Sequence, residues 1–453
     1  MEKMKSIDEY FIDQFLERCV YRRMASYADK EAMAALDVEL RAKESNNDVS
    51  AASSAAQRAV GNRLFYFAIP PNVFLDTAAT IKETCEAQAP GYTRLVVEKP
   101  FGHDEESATA LASAMGAIYP EDQIYRIDHY LGKEMVQNMI VMRFGNTLFE
   151  RIWDKDSIAS VQITFKEDFG TMGRGGYFDN YGIIRDILQN HLMQVLALVA
   201  MKKPSTVFGP ESGSAVRDAK VALVQKIKPI SLENVVLGQY AADPAGKEVG
   251  YTEDPTVPEG SKTPTFATVV LFIDDEQWDG VPFIMRAGKA LDQRKAEVRI
   301  QLKEPQGIVQ TFAGEDCPRN ELVIRLQPDE AMYIKANVKA PGLHSEPQQV
   351  ELDLSYKERF YTGDAAVYSP DAYTRLLLDV LTGKQSAFVR DDELLASWKI
   401  WDPLLKQIEA KPSPLTVHTY PYGSRGPPEA AALIQKYGYQ RNTRYSWKSG
   451  GNL

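Results

Sequence analysis

Two short apolar runs, residues 63–69 (RLFYFAI) and 93–98 (TRLVVE), each stop at a proline-bearing turn, Pro70-Pro71 and Lys99-Pro100. Runs of this length, rich in aromatic or β-branched residues, predict buried strands rather than helices. Between and after them, residues 72–87 and 105–115 space their apolar side chains as helices do, and 123–126 forms a third short strand. Strands alternating with helices predict parallel βαβ units, the layout of a dinucleotide-binding half. Upstream, residues 1–44 read as amphipathic helices, with Ala32, Met33, Leu36 and Leu40 at helical spacing. Residues 44–56 (ESNNDVSAASSAA) are small, polar and without period, and read as a loop or insertion.

From about residue 157 the texture changes. Strand-like runs at 158–165, 266–273, 298–302, 322–326 and 332–338 are joined by few helical stretches, at about 181–201, 371–382 and 390–407. Strands that follow strands predict a mostly antiparallel sheet with helices to one side. The Pro- and Gly-rich stretch 240–264 reads as a long connection inside this part. The chain therefore divides into an α/β part, an incomplete Rossmann-like domain at 1–127, and a larger α+β domain at 128–453.

Composition narrows the function classes. The chain has 453 residues, 44% hydrophobic and 25% charged, which suits a folded globular protein. Its net charge of −10 disfavours nucleic acid or an anionic membrane as a main partner, so an anionic ligand needs a local basic pocket. Cys19, Cys85 and Cys317 lie far apart and without metal-ligand spacing, which predicts neither a disulfide framework nor a metal site. No leader-like apolar segment opens the chain and no run of about 18 apolar residues occurs. The expected location is cytoplasmic.

Five stretches carry candidate chemistry. In 126–134 (RIDHYLGKE) a helix opening at Asp128, a favoured N-cap, puts His129 and Lys133 on one face beside free backbone N–H groups, which suits a phosphate. An ordinary capped surface helix is the alternative. In 186–191 (DILQNH), His191 lies on an apolar stripe formed by Ile184, Ile187, Leu188, Leu192, Val195, Leu196 and Val199. It is either a satisfied core histidine or a general base, and the second role requires a carboxylate on its other ring nitrogen. Lys99-Pro100 ends a strand where open α/β sheets bind ligands, or else is a surface turn. Glu167 and Lys289 likewise follow strand-like runs, where charged residues are usually just solvated.

Taken in order, VEKPFG at 97–102, RIDHYLGKE at 126–134, FKEDFG at 165–170 with GRGGYFD at 173–179, GIIRD at 182–186 with Asn190-His191, RAGK at 286–289 and YGSRG at 422–426 form a series. The series resembles the glucose-6-phosphate dehydrogenase family from about residue 15 to the end. The resemblance implies oxidation of glucose 6-phosphate at C1, with hydride passing to NADP, as the first step of the oxidative pentose phosphate pathway. It implies His191 as general base oriented by Asp128, with His129, Tyr130 and Lys133 on the sugar phosphate. Glu167, Asp186 and Lys289 are then expected on the sugar, Lys99 on both sugar and cofactor, and Pro100 at the cofactor. A structural second NADP is implied near Arg286, Lys295, Arg299, Arg325, Lys335, Arg425 and Trp447, although Arg441 replaces an aromatic found in some relatives. A homodimer or homotetramer is expected.

The family's glycine-rich strand-turn-helix, of the type G-x-x-G-D-L, is missing: the first glycine is Gly61. The expectation is a truncated chain with impaired cofactor binding and no turnover. The alternative is a non-catalytic sugar-phosphate-binding or dimerisation partner of a longer subunit.

Overall fold

The computed structural model describes residues 11–46, 61–312, 317–339, 341–343, 346–361 and 367–441. Most of the polar stretch expected as a loop, and Trp447, lie outside them. The chain forms two compact units, one of residues 1–96 with 113–124 and one of 97–112 with 125–453.

A three-stranded sheet of β1 (Arg63–Phe67), β2 (Thr93–Val97) and β3 (Ile124–Arg126) is hydrogen-bonded in the order β1-β2-β3, with β1 and all of β2 but Val97 in the first unit. Helices Phe74–Thr84 and Glu105–Ile118 make the crossovers, in the Rossmann-like layout that the alternation of patterns predicts. The helix Lys30–Asn46 continues through Glu44, so the upstream helix runs further than the sequence indicates. It is tied to β1 by Arg63, whose guanidinium donates to Asp37 Oδ1 at 2.5 Å and to Glu44 Oε1 at 2.9 Å.

The second unit is organised by a nine-stranded sheet. Its strands are β4 (Ile158–Lys166), β5 (Val235–Ala241), β6 (Phe266–Leu271), β7 (Phe283–Gly288), β8 (Lys295–Leu302), β9 (Glu321–Gln327), β10 (Ala331–Lys339), β11 (Pro347–Ser355) and β12 (Val417–Pro421). The order is β11-β10-β9-β8-β4-β7-β6-β5-β12. Every pairing is antiparallel except β4 with β7 and β5 with β12. Sequence patterning misses β5, β11 and β12, while β7 is the strand-like run that Lys289 follows. β11 is short of apolar residues because it is a half-exposed edge.

Two corrections concern helices. The expected amphipathic helix over 181–201 is a π-helical segment, Ile184–Leu192, running into an α-helix, Met193–Ala200, and from residue 191 onward every residue is buried. The apolar stripe is therefore not a boundary with solvent. The segment packs on β4 and β7 from one side and on the helix Asp391–Glu409 from another. Nor are the helices confined to one side of the sheet. Val270 and Ile284 form a cluster with Leu433 and Ile434 of the helix Pro428–Lys436, because apolar positions on that face also need cover.

The helices around the His191 segment are joined by a buried ion pair. Lys220, on the helix Ser212–Val224, meets Glu393 Oε2 at 2.9 Å and donates to Gln194 Oε1 at 2.8 Å. Both charged side chains are inaccessible to solvent.

Candidate active site

Strand order brings the candidate residues of the second unit together. β4 and β7 lie side by side and parallel, with Lys166 opposite Gly288, so the residues that follow them emerge at the same edge. Those residues are Glu167 and Lys289, whose side chains pair at 2.5 Å. Lys289 also approaches Asp186 Oδ2 at 3.9 Å, and Asp186 Oδ1 in turn faces Lys99 Nζ at 3.3 Å. Four side chains from separate stretches thus form an alternating row of charge, Glu167, Lys289, Asp186 and Lys99. Burial pushes the Asp186 carboxyl up, but Lys99 and Lys289 outweigh it and hold the group below its ordinary value.

His191 adjoins this row. Its Nδ1 donates to Asp128 Oδ1 at 2.6 Å, and its Nε2 accepts from Lys99 Nζ at 2.9 Å. An ammonium group cannot accept, so this arrangement fixes the tautomer with the proton on Nδ1 and the lone pair on Nε2. Asp128 also accepts from the backbone N–H of Tyr130 at 2.9 Å. Burial pushes its carboxyl up, yet His191, His129 and these hydrogen bonds bring it down to about 2. Burial lowers His191 below the ordinary imidazole value; Asp128 opposes that shift and Lys99 adds to it. A neutral imidazole beside an ionised carboxylate is the state a general base needs.

The stretch 128–133 departs from its sequence reading. The helix opens at Glu134 with Lys133 at its N-cap, not at Asp128, and residues 128–132 form turns. Asp128 lies outside the helix, and its Oδ1 accepts both from His191 and from the local Tyr130 N–H. His129 and Lys133 therefore do not share a helix face. His129 packs its ring edge-on to His191, with centroids 4.6 Å apart, and Tyr130 stacks on His191 at 4.7 Å. Burial, aided by His191, pushes His129 down to about 3 against the opposing pull of Asp128. Lys133 donates to Gln327 Oε1 at 2.7 Å. Burial lowers its ammonium, with Glu330 opposing and Arg294 adding.

The ligand atoms of Asp128, His129 and His191 lie within 4.8 Å of one another, close enough for a metal ion. The same Nδ1 and carboxylate are engaged with each other, and Lys99 stands at the opposite ring nitrogen, an arrangement suited to proton transfer. Gln327 escaped the sequence reading. The signal was available: Gln327-Pro328 ends β9 as Lys99-Pro100 follows β2, a strand-end residue before a proline.

The second group of candidates lines a separate cavity of about 950 Å³ in this unit. Arg286, Lys295, Arg299, Lys335 and Arg425 contribute to it, together with Glu297 and Glu321. Arg299 is held by Glu297 and Glu321, and Lys335 by Glu321. Arg286 Nε is buried and without a hydrogen-bond partner. Arg325 is not among the lining residues; it donates to Pro328 O at 2.8 Å.

Residues 1–138 match the family description "Glucose-6-phosphate dehydrogenase, NAD binding domain", and residues 140–448 match "Glucose-6-phosphate dehydrogenase, C-terminal domain". Over 390 residues the chain is 52% identical to a glucose-6-phosphate 1-dehydrogenase of Takifugu rubripes, covering 85% of this chain and 71% of that one. Over 450 residues it is 50% identical to the cytoplasmic glucose-6-phosphate 1-dehydrogenase 5 of Arabidopsis thaliana, covering 98% and 81%. A solved glucose-6-phosphate dehydrogenase in complex with its substrate glucose-6-phosphate superposes with a TM-score of 0.84 at 44% identity, covering 93% of this chain and 82% of that one.

Proposed function

The chain belongs to the glucose-6-phosphate dehydrogenase family, an oxidoreductase family of carbohydrate metabolism, and we propose that the site around His191 oxidises C1 of glucose 6-phosphate, with NADP as the hydride acceptor. The observation that carries this reading is the tautomer of His191, held by Asp128 on one nitrogen and presenting its lone pair on the other. The C1 hydroxyl takes the place of the Lys99 ammonium at Nε2 and gives up its proton there. Asp128 holds the ring in orientation and stabilises the imidazolium that forms. Lys99, released from Nε2, remains paired with Asp186 and stands beside the oxygen that is losing its proton. Glu167, Asp186 and Lys289 bind sugar hydroxyls, and their mutual pairing keeps each in place before the sugar arrives. His129, Tyr130 and Lys133 hold the phosphate, whose binding energy positions the reacting carbon.

Lys99 and Pro100 would contact the cofactor, and no step is assigned to the residues around its pyrophosphate. Calorimetry of this chain should show glucose 6-phosphate binding that weakens in Lys133→Ala. Absence of sugar-phosphate binding would overturn the reading.

A second dinucleotide in the 950 Å³ cavity is the finer reading supported by the unpartnered Arg286 Nε and the basic lining. Cytosolic location, participation in the pentose phosphate pathway and self-association as a homodimer or homotetramer belong to the same proposal. Relatives are named as cytoplasmic isoforms. Among the described residues no helix is long and apolar enough to cross a membrane.

A further inference from the structure

The turns at 129–132, closed by consecutive hydrogen bonds from Leu131 N to Asp128 O, Gly132 N to His129 O and Lys133 N to Tyr130 O, carry His129 and Tyr130 into the site beside Asp128, and a second element braces them from outside. The first turn of the helix Ala372–Thr382 lies against them. A Cβ on Gly132 would meet Ala372 O at 2.6 Å and Leu376 Cγ at 3.0 Å, so backbone approaches backbone here at a distance only glycine allows. Arg375 donates to Gly132 O at 3.3 Å, pairs with Glu134 and donates to Ser369 Oγ at 2.7 Å. One arginine therefore fastens both the turn and the start of the next helix. Asp371 caps the helix by accepting from Thr374 N at 2.9 Å, which secures its first turn.

From that turn Tyr373 reaches the site. Its ring lies nearly parallel to the His129 ring, with centroids 6.0 Å apart and planes at 10°. Its side chain hydrogen-bonds to Glu98, the residue immediately before Lys99. His129 in turn packs on His191 and Tyr130. Tyr373 thus lies alongside the His129 ring from a separate element, and is itself anchored beside the Lys99 turn.

We propose that Tyr373 is a positioning residue that holds the His129 ring in the orientation that receives the substrate phosphate, with the first turn of the helix Ala372–Thr382 as its rigid mount. The proposal rests on the assignment of His129 to the phosphate. It makes the helix a determinant of selectivity for phosphorylated over free sugar, because Tyr373 acts on the phosphate end and not on the hydroxyls held by Glu167, Asp186 and Lys289.

The test compares wild type, Tyr373→Phe and Tyr373→Ala by calorimetry with glucose 6-phosphate and with unphosphorylated glucose, alongside imidazole NMR of His129. Tyr373→Ala is expected to weaken glucose 6-phosphate binding roughly five- to tenfold, the scale of one lost aromatic contact, while glucose binding is unchanged. Tyr373→Phe, which keeps the ring, is expected to restore wild-type binding. In the ligand-free Tyr373→Ala variant the His129 ring should titrate closer to an ordinary histidine, since the cover that desolvates it is gone. Equal weakening towards both sugars, or wild-type binding and titration in Tyr373→Ala, would overturn the proposal. Failure of wild type to bind glucose 6-phosphate would instead bring down the assignment of the site on which it depends.

Discussion

His191 stands between two charges that pull its proton affinity in opposite directions. Asp128 favours the imidazolium, while burial and Lys99 favour the neutral ring, and the balance leaves the group below its ordinary value. The base is required neutral, so its loss on acidification comes late: the acid limb of kcat/KM should fall below the ordinary histidine value of about 6.5. An acid limb above that value would contradict the reading. Replacing Asp128 with Asn leaves the shape and removes the charge that stabilises the imidazolium. It should lower kcat by roughly a hundredfold or more, the scale of general-base catalysis, with little change in sugar binding. Lys133→Ala should do the reverse, raising KM for glucose 6-phosphate roughly tenfold or more while kcat changes little, because a charged hydrogen bond to the phosphate is lost. Steady-state kinetics on the two variants, made in a form of the protein that turns over, separates these roles. Asp128 also shows what a local rule leaves out. Its residue type predicts an N-cap, and it does accept a nearby backbone N–H, that of Tyr130, but the helix opens only at Glu134 and the same oxygen also accepts from an imidazole 63 residues downstream, which no local rule foresees.

At the scale of elements, the Lys220–Glu393 pair holds the helix Ser212–Val224 to the helix Asp391–Glu409, next to the segment that carries His191. Glu393→Gln keeps the shape but leaves an ammonium buried without a counter-charge. It should destabilise the protein by about 3 kcal/mol in chemical denaturation, the lower end for breaking a buried pair. A loss below about 1 kcal/mol would mean that the ammonium finds another partner. The elements most legible in the sequence are those with a single strong period or a sharp end: β1, β2 and the helices at 372–382 and 391–409. The motif series also pointed to the residues that the structure gathers at His191. Less legible were the π-helical turn, because burial on nearly every side erases periodicity, and β11, because an edge strand needs few apolar residues. Gln327 and Tyr373 were missed for another reason. Each reaches the site from nearly 200 residues or more away along the chain, and only the fold brings them there.

At the scale of the whole molecule, the nine-stranded sheet serves two sites. One edge formed by the parallel pair β4 and β7 supplies Glu167 and Lys289, while alternate residues of β4, β7 and β8 line the 950 Å³ cavity. If a dinucleotide occupies that cavity, NADP added without sugar should raise the unfolding temperature, and Arg286→Ala should abolish the increase. An increase that survives in Arg286→Ala would place the stabilising site elsewhere. The alternating row from Glu167 to Lys99 has a separate consequence. On the proposed reading its charges largely cancel where the sugar hydroxyls would bind, whereas Lys133, at the other end, is held by the amide oxygen of Gln327. The two ends of the ligand would then be told apart by charge, with a phosphate drawn towards the Lys133 end and not towards the self-neutralised row.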